Sequence, residues 1–371
     1  MRRHAQLGWK HASIPREDQP LSAPNIAVGQ AKTDDRPANT RQKLTRFARK
    51  PLSVKWASVK AKLRNVIGKS SAISLTQNVL LEAKEIKNIL ERSAILAKEQ
   101  YVRQALGDER YADPKRLERH GFKVYSQFDE DGIIQEIFRR IGTTDRRFVE
   151  FGVENGLENN TLKLLLEGWR GLWIEGSEGW VTAIRERFAD VLSTGRLALR
   201  PAFITAENIS ELVAPWVTGE IDLLSIDIDG NDFHIWEALH AISPRVTVIE
   251  YNAKFPPPMS IVQEYRPDNI WKGTDYMGAS LEALVRLGGR LGYSLVGTNF
   301  VGLNAFFVRN DLLGGNFHAP FSAENHYNRA KYFLWKLYVS GHPPDWGPYV
   351  YVSDDGLTLG ERRRGQVENR I

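Results

Sequence analysis

The chain has 371 residues, 42% of them hydrophobic, enough for one large α/β domain with an extension. It has no cysteine, which excludes disulfides and thiolate metal sites and fits a reducing compartment. The net charge of +5 averages two unlike parts: residues 1–70 hold 16 Lys and Arg against 4 Asp and Glu, or +12, which leaves −7 for residues 71–371. A body of that sign argues against nucleic acid as a partner. No apolar run approaches the roughly 18 residues of a membrane span, and no secretory signal is visible. The expected location is cytoplasmic, with peripheral contact at the inner membrane face as the one membrane association left open.

Residues 1–43 are polar, rich in proline and charge, and without periodicity, so a disordered basic tail is expected there. Leu52, Trp56, Val59, Leu63 and Val66 then share one helical face, with Lys55, Lys60, Lys62 and Arg64 off it. Pro51 suits a first helical position and Gly68 an exit. Such a basic amphipathic helix lies on an anionic membrane surface or docks on protein. A second helix is expected over 74–105, with Leu75, Val79, Ile86, Leu90 and Ala94 on a partial seam too short for a coiled coil. Residues 44–118 thus read as a helical N-terminal arm, and a homo-oligomer remains open.

The pattern becomes dense over 119–312. SQFDEDGIIQEIFRRIG reads as a capped helix with Ile133, Ile134, Ile137, Phe138 and Ile141 inward and Gly142 as its stop. Strands follow at 147–151, 171–175, 196–200, 221–226 and 246–251, separated by helices at 159–167, 179–189, 207–216 and 232–242. Continuous apolar strands alternating with amphipathic helices imply a mostly parallel α/β sheet covered on both faces. GYSLVGTNFVGLNAFFVRND then reads as an antiparallel hairpin turning around 299–302. A parallel sheet closed by a late hairpin is the ordering of S-adenosylmethionine-dependent methyltransferases. Residues 313–371 read as one aromatic helix (Tyr327, Tyr332, Phe333, Trp335, Leu337) packed on the sheet edge, then a polar tail after Gly360.

The first crossover carries the main functional signal. Strand 147–151 runs into Gly152, Gly156 opens the next helix, and the following strand ends on Glu175, 19 residues after Gly156. That is close to the roughly 20-residue spacing at which a carboxylate meets a ribose diol in dinucleotide folds. A turn that binds pyrophosphate wants backbone donors and no acids nearby. This one carries Glu150, Glu154 and Glu158, with no Lys or Arg from Phe148 to Leu162. It suits a cofactor with a cationic end, and S-adenosylmethionine, with its ammonium and sulfonium, is one. A solvated acidic loop is the plain alternative.

Together YSQFDEDGII, FVEFGVENG with NNT, GWRGLWIEGS, IDLLSIDIDGND and VIEYN resemble an FkbM-type methyltransferase over roughly residues 120–312. The resemblance implies the Rossmann-like methyltransferase fold and methylation of hydroxyl oxygens on sugars or polyketide-like metabolites. It implies that Glu150, Gly152 and Gly156 wall the methionine end, where glycines leave room for the cofactor. Glu175 would take both ribose hydroxyls, Phe203, Ile204 and Thr205 would border the adenine, and Ser126 and Gln127 would reach the methionine end. The turn departs from the family's tighter DxGxNxG form at Glu150 and Glu154, and Gly176 stands where proline is common.

SIDIDGND is the second cluster. Asp227, Asp229 and Asp232 follow the fourth strand, and Glu250 and Asn252 end the fifth, at the edge where open α/β sheets bind ligands. If the strand continued, Asp227 and Asp229 would point the same way. Asp227, Asp229 and Glu250 are the candidate catalytic acids, one of them a general base. Asp227, Asp229 and Asn252 are the candidate ligands of a Mg²⁺ ion that would lower the acceptor's pKa. His234 is a further candidate base, although a histidine on a helix face is more often structural. Asn299, Phe300, Asn304 and Phe306 at the hairpin, and the proline-rich loop 255–277, are expected to close the site over a small-molecule or glycan acceptor. The leading reading is an S-adenosylmethionine-dependent O-methyltransferase. The alternatives are a glycosyltransferase using the Asp227–Ile228–Asp229 triplet and a catalytically silent scaffold of the same fold.

Overall fold

The computed structural model describes residues 69–334 and 341–355. The expected tail at 1–43, the helix from Leu52 to Val66, Trp335, Leu337 and the tail after Gly360 lie outside the described residues. The chain divides into two compact units, Met1–Gln77 and Asn78–Ile371. Of the first, only the opening turns of helix α1 (Lys69–Leu106) are described. All that follows concerns the second unit.

Most of α1 covers nothing. Val79, Ile86 and Leu90, expected on a seam, are exposed, and so are Leu80, Leu81, Ile89, Ile95 and Leu96. Apolar residues at these positions go around the helix and leave no single stripe to dock. Only its last turns engage: the Tyr101 ring meets Phe300 and Phe333, and Lys98 Nζ donates to the Leu334 carbonyl at 2.9 Å. Among the described residues no helix is long and apolar enough to cross a membrane.

After α1 come β-strands and helices in alternation: α2 (Glu130–Ile141), β1 (Arg147–Phe151), α3 (Leu162–Leu166), β2 (Arg170–Glu175), α4 (Glu178–Arg187), α5 (Ala189–Ser193) and β3 (Leu197–Pro201). Then follow α6 (Ile209–Val213), β4 (Gly219–Ile226), α7 (Asp232–Ala238), β5 (Ile242–Glu250), β6 (Ile261–Gln263), α8 (Leu281–Leu291), β7 (Tyr293–Thr298), β8 (Asn304–Arg309), α9 (Ala323–His326) and β9 (Tyr349–Tyr351). The main sheet has seven strands in the order β3-β2-β1-β4-β5-β8-β7. β1 to β5 are parallel, and β8 runs antiparallel between β5 and β7. This is the Rossmann-like methyltransferase sheet expected from the sequence.

Strand alternation splits the core into two layers. Val149, Phe151, Leu224, Ile226 and Phe307 pack with Ile209, Val213, Phe233, Trp236 and Leu284, from α6, α7 and α8. Phe148, Trp173, Leu223, Val248 and Phe306 face Ile133, Ile137, Leu165 and Ile184, from α2, α3 and α4, on the other side. α8 has no counterpart among the expected elements. Its paired glycines, Gly288 and Gly289, weaken the helical signal. A Cβ at Gly288 would come within 2.9 Å of the Phe307 ring, so the helix needs that glycine to lie close on the sheet.

The expected aromatic helix at the C-terminal end does not form across 327–331. Tyr327 is extended, and side-chain bonds hold the segment in place of a helical ladder. Tyr327 Oη donates to the Ala253 carbonyl at 2.6 Å, Tyr111 Oη donates to Asn328 Oδ1 at 2.7 Å, and Asn328 Nδ2 donates to Thr298 Oγ1 at 3.1 Å. Residues on either side of the expected 119–312 core belong to its interior: Leu117, Glu118, Phe317, Ala323 and Val352 are all buried. Strand β9 pairs with β6 inside the loop that the sequence leaves irregular.

At the amino end of β4, Asp222 is fully buried and accepts from the Thr144 and Arg146 amides at 2.9 and 2.7 Å, with Arg245 Nε at 3.2 Å. Asp222→Ala should lower the unfolding free energy by about 3–5 kcal/mol, because it removes the buried carboxylate beside Arg245 and leaves the Thr144 and Arg146 amides without their acceptor. Urea denaturation checks this; a loss below about 1 kcal/mol would mean that water replaces the carboxylate.

Candidate active site

Phe151, Ile174, Ile226 and Ile249 stand in one register row across β1, β2, β4 and β5. The next residue on each strand is Gly152, Glu175, Asp227 and Glu250, and Glu250 is paired with Asn304 of β8. The sheet therefore ends in a single polar row along its carboxyl edge. A cavity of about 620 Å³ opens over it. Among the described residues seven carboxylates line the cavity (Glu150, Glu154, Glu158, Glu175, Asp227, Asp229, Glu250), and no Lys or Arg does. Of these acids, Glu158 is paired with Lys123 at 2.7 Å.

Gly152 sits at the middle of the row with φ +71°, and a Cβ there would lie 1.6 Å from the Asp227 carbonyl oxygen. Its glycine serves the close approach of β1 and β4 first, and any cofactor second. Gly156 is corrected as a cofactor residue: it is not on the cavity wall, and its missing Cβ faces the Phe188 and Trp173 rings at 2.7 and 2.8 Å.

Glu175 is buried and braced from both sides. Oε2 accepts from the Glu154 amide at 2.9 Å and Oε1 from the Ser177 amide at 2.8 Å. Burial raises its pKa above the ordinary carboxylate value. Glu150 is on the wall with both oxygens engaged: Oε1 accepts from the Asn160 amide at 2.8 Å, and Oε2 from the Thr161 hydroxyl. Thr161 in turn accepts from Trp173 Nε1 at 2.8 Å. Burial pushes Glu150 up to about 7.

Strand β4 stops at Ile226, so the expected same-side geometry of Asp227 and Asp229 does not come from a continuing strand. A tight turn provides it instead. Asp229 takes a left-handed backbone (φ +56°), which aspartate tolerates better than most residues. Asp232 braces the turn by accepting from the Ile228 and Gly230 amides at 2.9 and 2.8 Å, so this third acid is structural. One carboxylate oxygen from each of Asp227, Asp229 and Glu250 then lies within 4.8 Å of the others. Burial raises all three, Asp229 to about 6 and the other two well above the ordinary range; repulsion adds to it, from Asp232 and Glu154 on Asp229, from Asp229 on Asp227, and from Asp227 on Glu250.

Asn252 is corrected as a metal ligand. Its amide donates to the Asp275 and Met277 carbonyls, both at 3.0 Å, and its oxygen accepts from the Lys254 amide at 3.1 Å. It ties the loop to β5 and does not line the cavity. His234 is structural: Nε2 lies 2.9 Å from the Gln263 carbonyl, and burial lowers its pKa. Ser126 binds Asp131, and of the first-helix pair only Gln127 reaches the wall. Phe203 and Ile204 line the cavity and Thr205 does not. Of the four hairpin residues expected there only Asn304 lines it; Asn299 organises the turn, and Phe300 and Phe306 are core.

The loop 255–277 supplies Asn269, Ile270, Trp271 and Met277 to the wall, as its position implies. Trp180, Asn231, Tyr332 and His342 also line it without having been singled out in the sequence. Trp180 carries the clearest missed signal: a tryptophan in the first turn of the helix after the β2 acid, 41% exposed. Tyr332 and His342 stack on each other at 5.3 Å, and nothing in their local sequence points to the site.

No family profile matches the sequence, and no curated protein matches it. Solved structures similar to part of the chain include the pyocyanin biosynthetic protein PhzM, at 18% identity over 47% of this chain and 54% of that one, TM-score 0.30. The match thus spans about half the length of PhzM. The glycopeptide N-methyltransferase MtfA complexed with S-adenosyl-L-homocysteine is similar at 15% identity over 52% of this chain and 95% of that one, TM-score 0.33. An O-methyltransferase from Bacillus cereus in complex with SAH is similar at 18% identity over 44% and 67%, TM-score 0.27. The site is read from this chain's own residues.

Glu150 gives the ligand-free protein a pH dependence. Its pKa is about 7 when folded against 4.5 when free, so the folded state holds a proton that the unfolded state releases. The stability this contributes is complete below pH 4.5 and is lost as pH rises through 7, on the order of 3 kcal/mol in all. Denaturant unfolding at pH 5 and 7.5 should show a steeper loss for the natural protein than for Glu150→Gln. Equal slopes would remove the assignment.

Proposed function

We propose that this cavity binds S-adenosylmethionine and that the protein is a methyltransferase acting on a hydroxyl of a glycan or a small metabolite. One observation carries the reading: among the described residues seven carboxylates line the cavity and no Lys or Arg does. A phosphate-bearing nucleotide finds no counter-charge among them, whereas a ligand with a positive sulfur and a positive amine is favoured. When bound, S-adenosylmethionine supplies a methyl group activated by that positive sulfur.

The chain's own residues divide the work along the row. Each oxygen of Glu175 spends one acceptor site on a backbone amide and keeps another for a ribose hydroxyl. Trp180 and Phe203, 41% and 48% exposed, offer aromatic faces for adenine beside Ile204. Gln127, Glu150 and Gly152 wall the opposite end. Beyond them Asp227, Asp229 and Glu250 face the acceptor, and a carboxylate raised to about 6, as Asp229 is, takes a hydroxyl proton better than an ordinary one. Trp271, Tyr332 and His342 shield that end from water and hold the acceptor ring. The glycosyltransferase alternative lacks a Lys or Arg for a diphosphate among the described lining residues.

Calorimetry with S-adenosylmethionine and with a nucleotide-sugar tests this directly. The methionine cofactor should bind and the sugar nucleotide should not; the reverse result would overturn the reading. Glu175→Gln, which keeps one amide acceptor, should weaken cofactor binding about 10-fold, the value of one charged hydrogen bond, with folding retained. Unchanged affinity would remove Glu175 from the ribose.

A further inference from the structure

We infer that Asp227, Asp229 and Glu250, together with the side-chain oxygens of Asn304 and Asn231, form a divalent-cation site at the acceptor end of the cavity. The three carboxylates alone do not make the case, because crowded acids occur without an ion. Two buried amides supply the second observation. Asn304 is 4% exposed, and its Nδ2 donates to Glu130 Oε1 at 2.9 Å. A carboxylate acceptor fixes which end of the amide is nitrogen. The opposite atom, Oδ1, is buried on the cavity wall without a hydrogen-bond partner, on the residue paired in register with Glu250.

Asn231 repeats the arrangement from another element. It is 3% exposed, and its Nδ2 donates to the Arg266 carbonyl at 2.8 Å, which again can only accept. Its Oδ1 is likewise buried and unpartnered at the same cavity, two residues after Asp229. Leaving a buried carbonyl oxygen unpaired costs roughly 1–3 kcal/mol, so two of them at one wall call for a common partner. A hydrogen-bond donor such as water satisfies an orphan oxygen, but it does nothing for three carboxylates held within 4.8 Å of each other. A cation does both.

The donors are all oxygen, carboxylate and amide, with no sulfur and no imidazole among them. That set selects a hard divalent ion such as Mg²⁺, Mn²⁺ or Ca²⁺. Glu250 takes the place that the sequence gives to Asn252, whose oxygen and nitrogen are both spent on the loop. The site stands without the methyl-transfer reading. Its role in turnover rests on that reading: a divalent ion there draws in the acceptor hydroxyl and lowers its pKa.

The test uses the full chain, stripped with chelator and titrated with Mn²⁺ in the absence of S-adenosylmethionine. Calorimetry and the spin-resonance signal of free Mn²⁺ should report one saturable site per chain, competed by Mg²⁺. Asp227→Asn and Glu250→Gln should each weaken it at least 10–100-fold, the loss typical even of residues that only support a ligand. Asn304→Ala, which removes that oxygen while Asn299 still donates to Glu130, should weaken Mn²⁺ binding and shrink the rise in melting temperature that Mn²⁺ produces. No change in either would remove Asn304 from the site. Absence of saturable binding by the natural protein, or full affinity in both acid variants, would overturn the proposal. Glu175→Gln should leave Mn²⁺ affinity intact while weakening S-adenosylmethionine binding, so the cation site and the cofactor reading fail separately.

Discussion

The structure turns on carboxylates crowded at the sheet edge with no Lys or Arg among the described lining residues. Two ionised acids with oxygens 4.8 Å apart would repel by about 3 kcal/mol at the effective dielectric of a protein site. Burial and neighbouring acids raise their pKa values, so bound protons relieve part of that repulsion and the apolar layers on both faces of the sheet hold the strand ends against the rest. Gly152 makes the crowding possible, since only a residue without a Cβ lets β1 end directly against the Asp227 carbonyl. A cationic guest reverses the sign of the interaction, so the empty edge is the least stable form of this site and an occupied one the most stable.

Acids elsewhere in the chain do the opposite job, and the contrast identifies the functional ones. Asp131 gathers the amides of Val124, Tyr125 and Ser126 at 2.7, 2.7 and 2.8 Å. Its neighbour Glu130 accepts from both Asn299 and Asn304, and Asp129 from the Phe300 amide at 3.3 Å. Asp129 and Glu130 thus tie the start of α2 to the β7–β8 hairpin, and Glu130 fixes the orientation of Asn304. Asp222 and Asp232 likewise close loops at the two ends of β4. A buried carboxylate that accepts backbone amides has part of its demand met inside the protein. Among the described residues Asp227, Asp229 and Glu250 have no such donors, and they face the cavity.

The alternation of apolar strands and helices made the sheet legible, because period and length are local properties. The late hairpin marked the antiparallel end of the sheet, while the order of the strands became visible only in the structure. Glu175 and Asp227 could be placed because strand ends are predictable and ligands bind at them. Asn252 could not be told from a ligand, because its partners at Asp275 and Met277 lie more than twenty residues away and become visible only in three dimensions. Gly156 misled for a related reason: sequence shows that a glycine is needed but not which atoms it makes room for. Tyr332 and His342 reach the cavity from a segment whose local pattern resembles a helix. Long-range bonds through Tyr327 and Asn328 override that pattern.

The electrostatics of the edge also bear on which atom accepts the methyl. An amine is protonated near neutrality, and a cluster of carboxylates holds it more firmly in the ammonium form, with the lone pair occupied. The same cluster would therefore suppress a nitrogen nucleophile. A hydroxyl carries no such handicap: it arrives neutral with a lone pair available, and it needs only a base to take its proton as the new bond forms. Asp229, lifted to about 6, is a base of the right kind. If a divalent ion occupies the oxygen-lined corner, the preference sharpens, since a hard cation favours an oxygen ligand over a nitrogen one. On the proposed reading, the acidity that would attract the cofactor would also favour oxygen at the other end of the cavity.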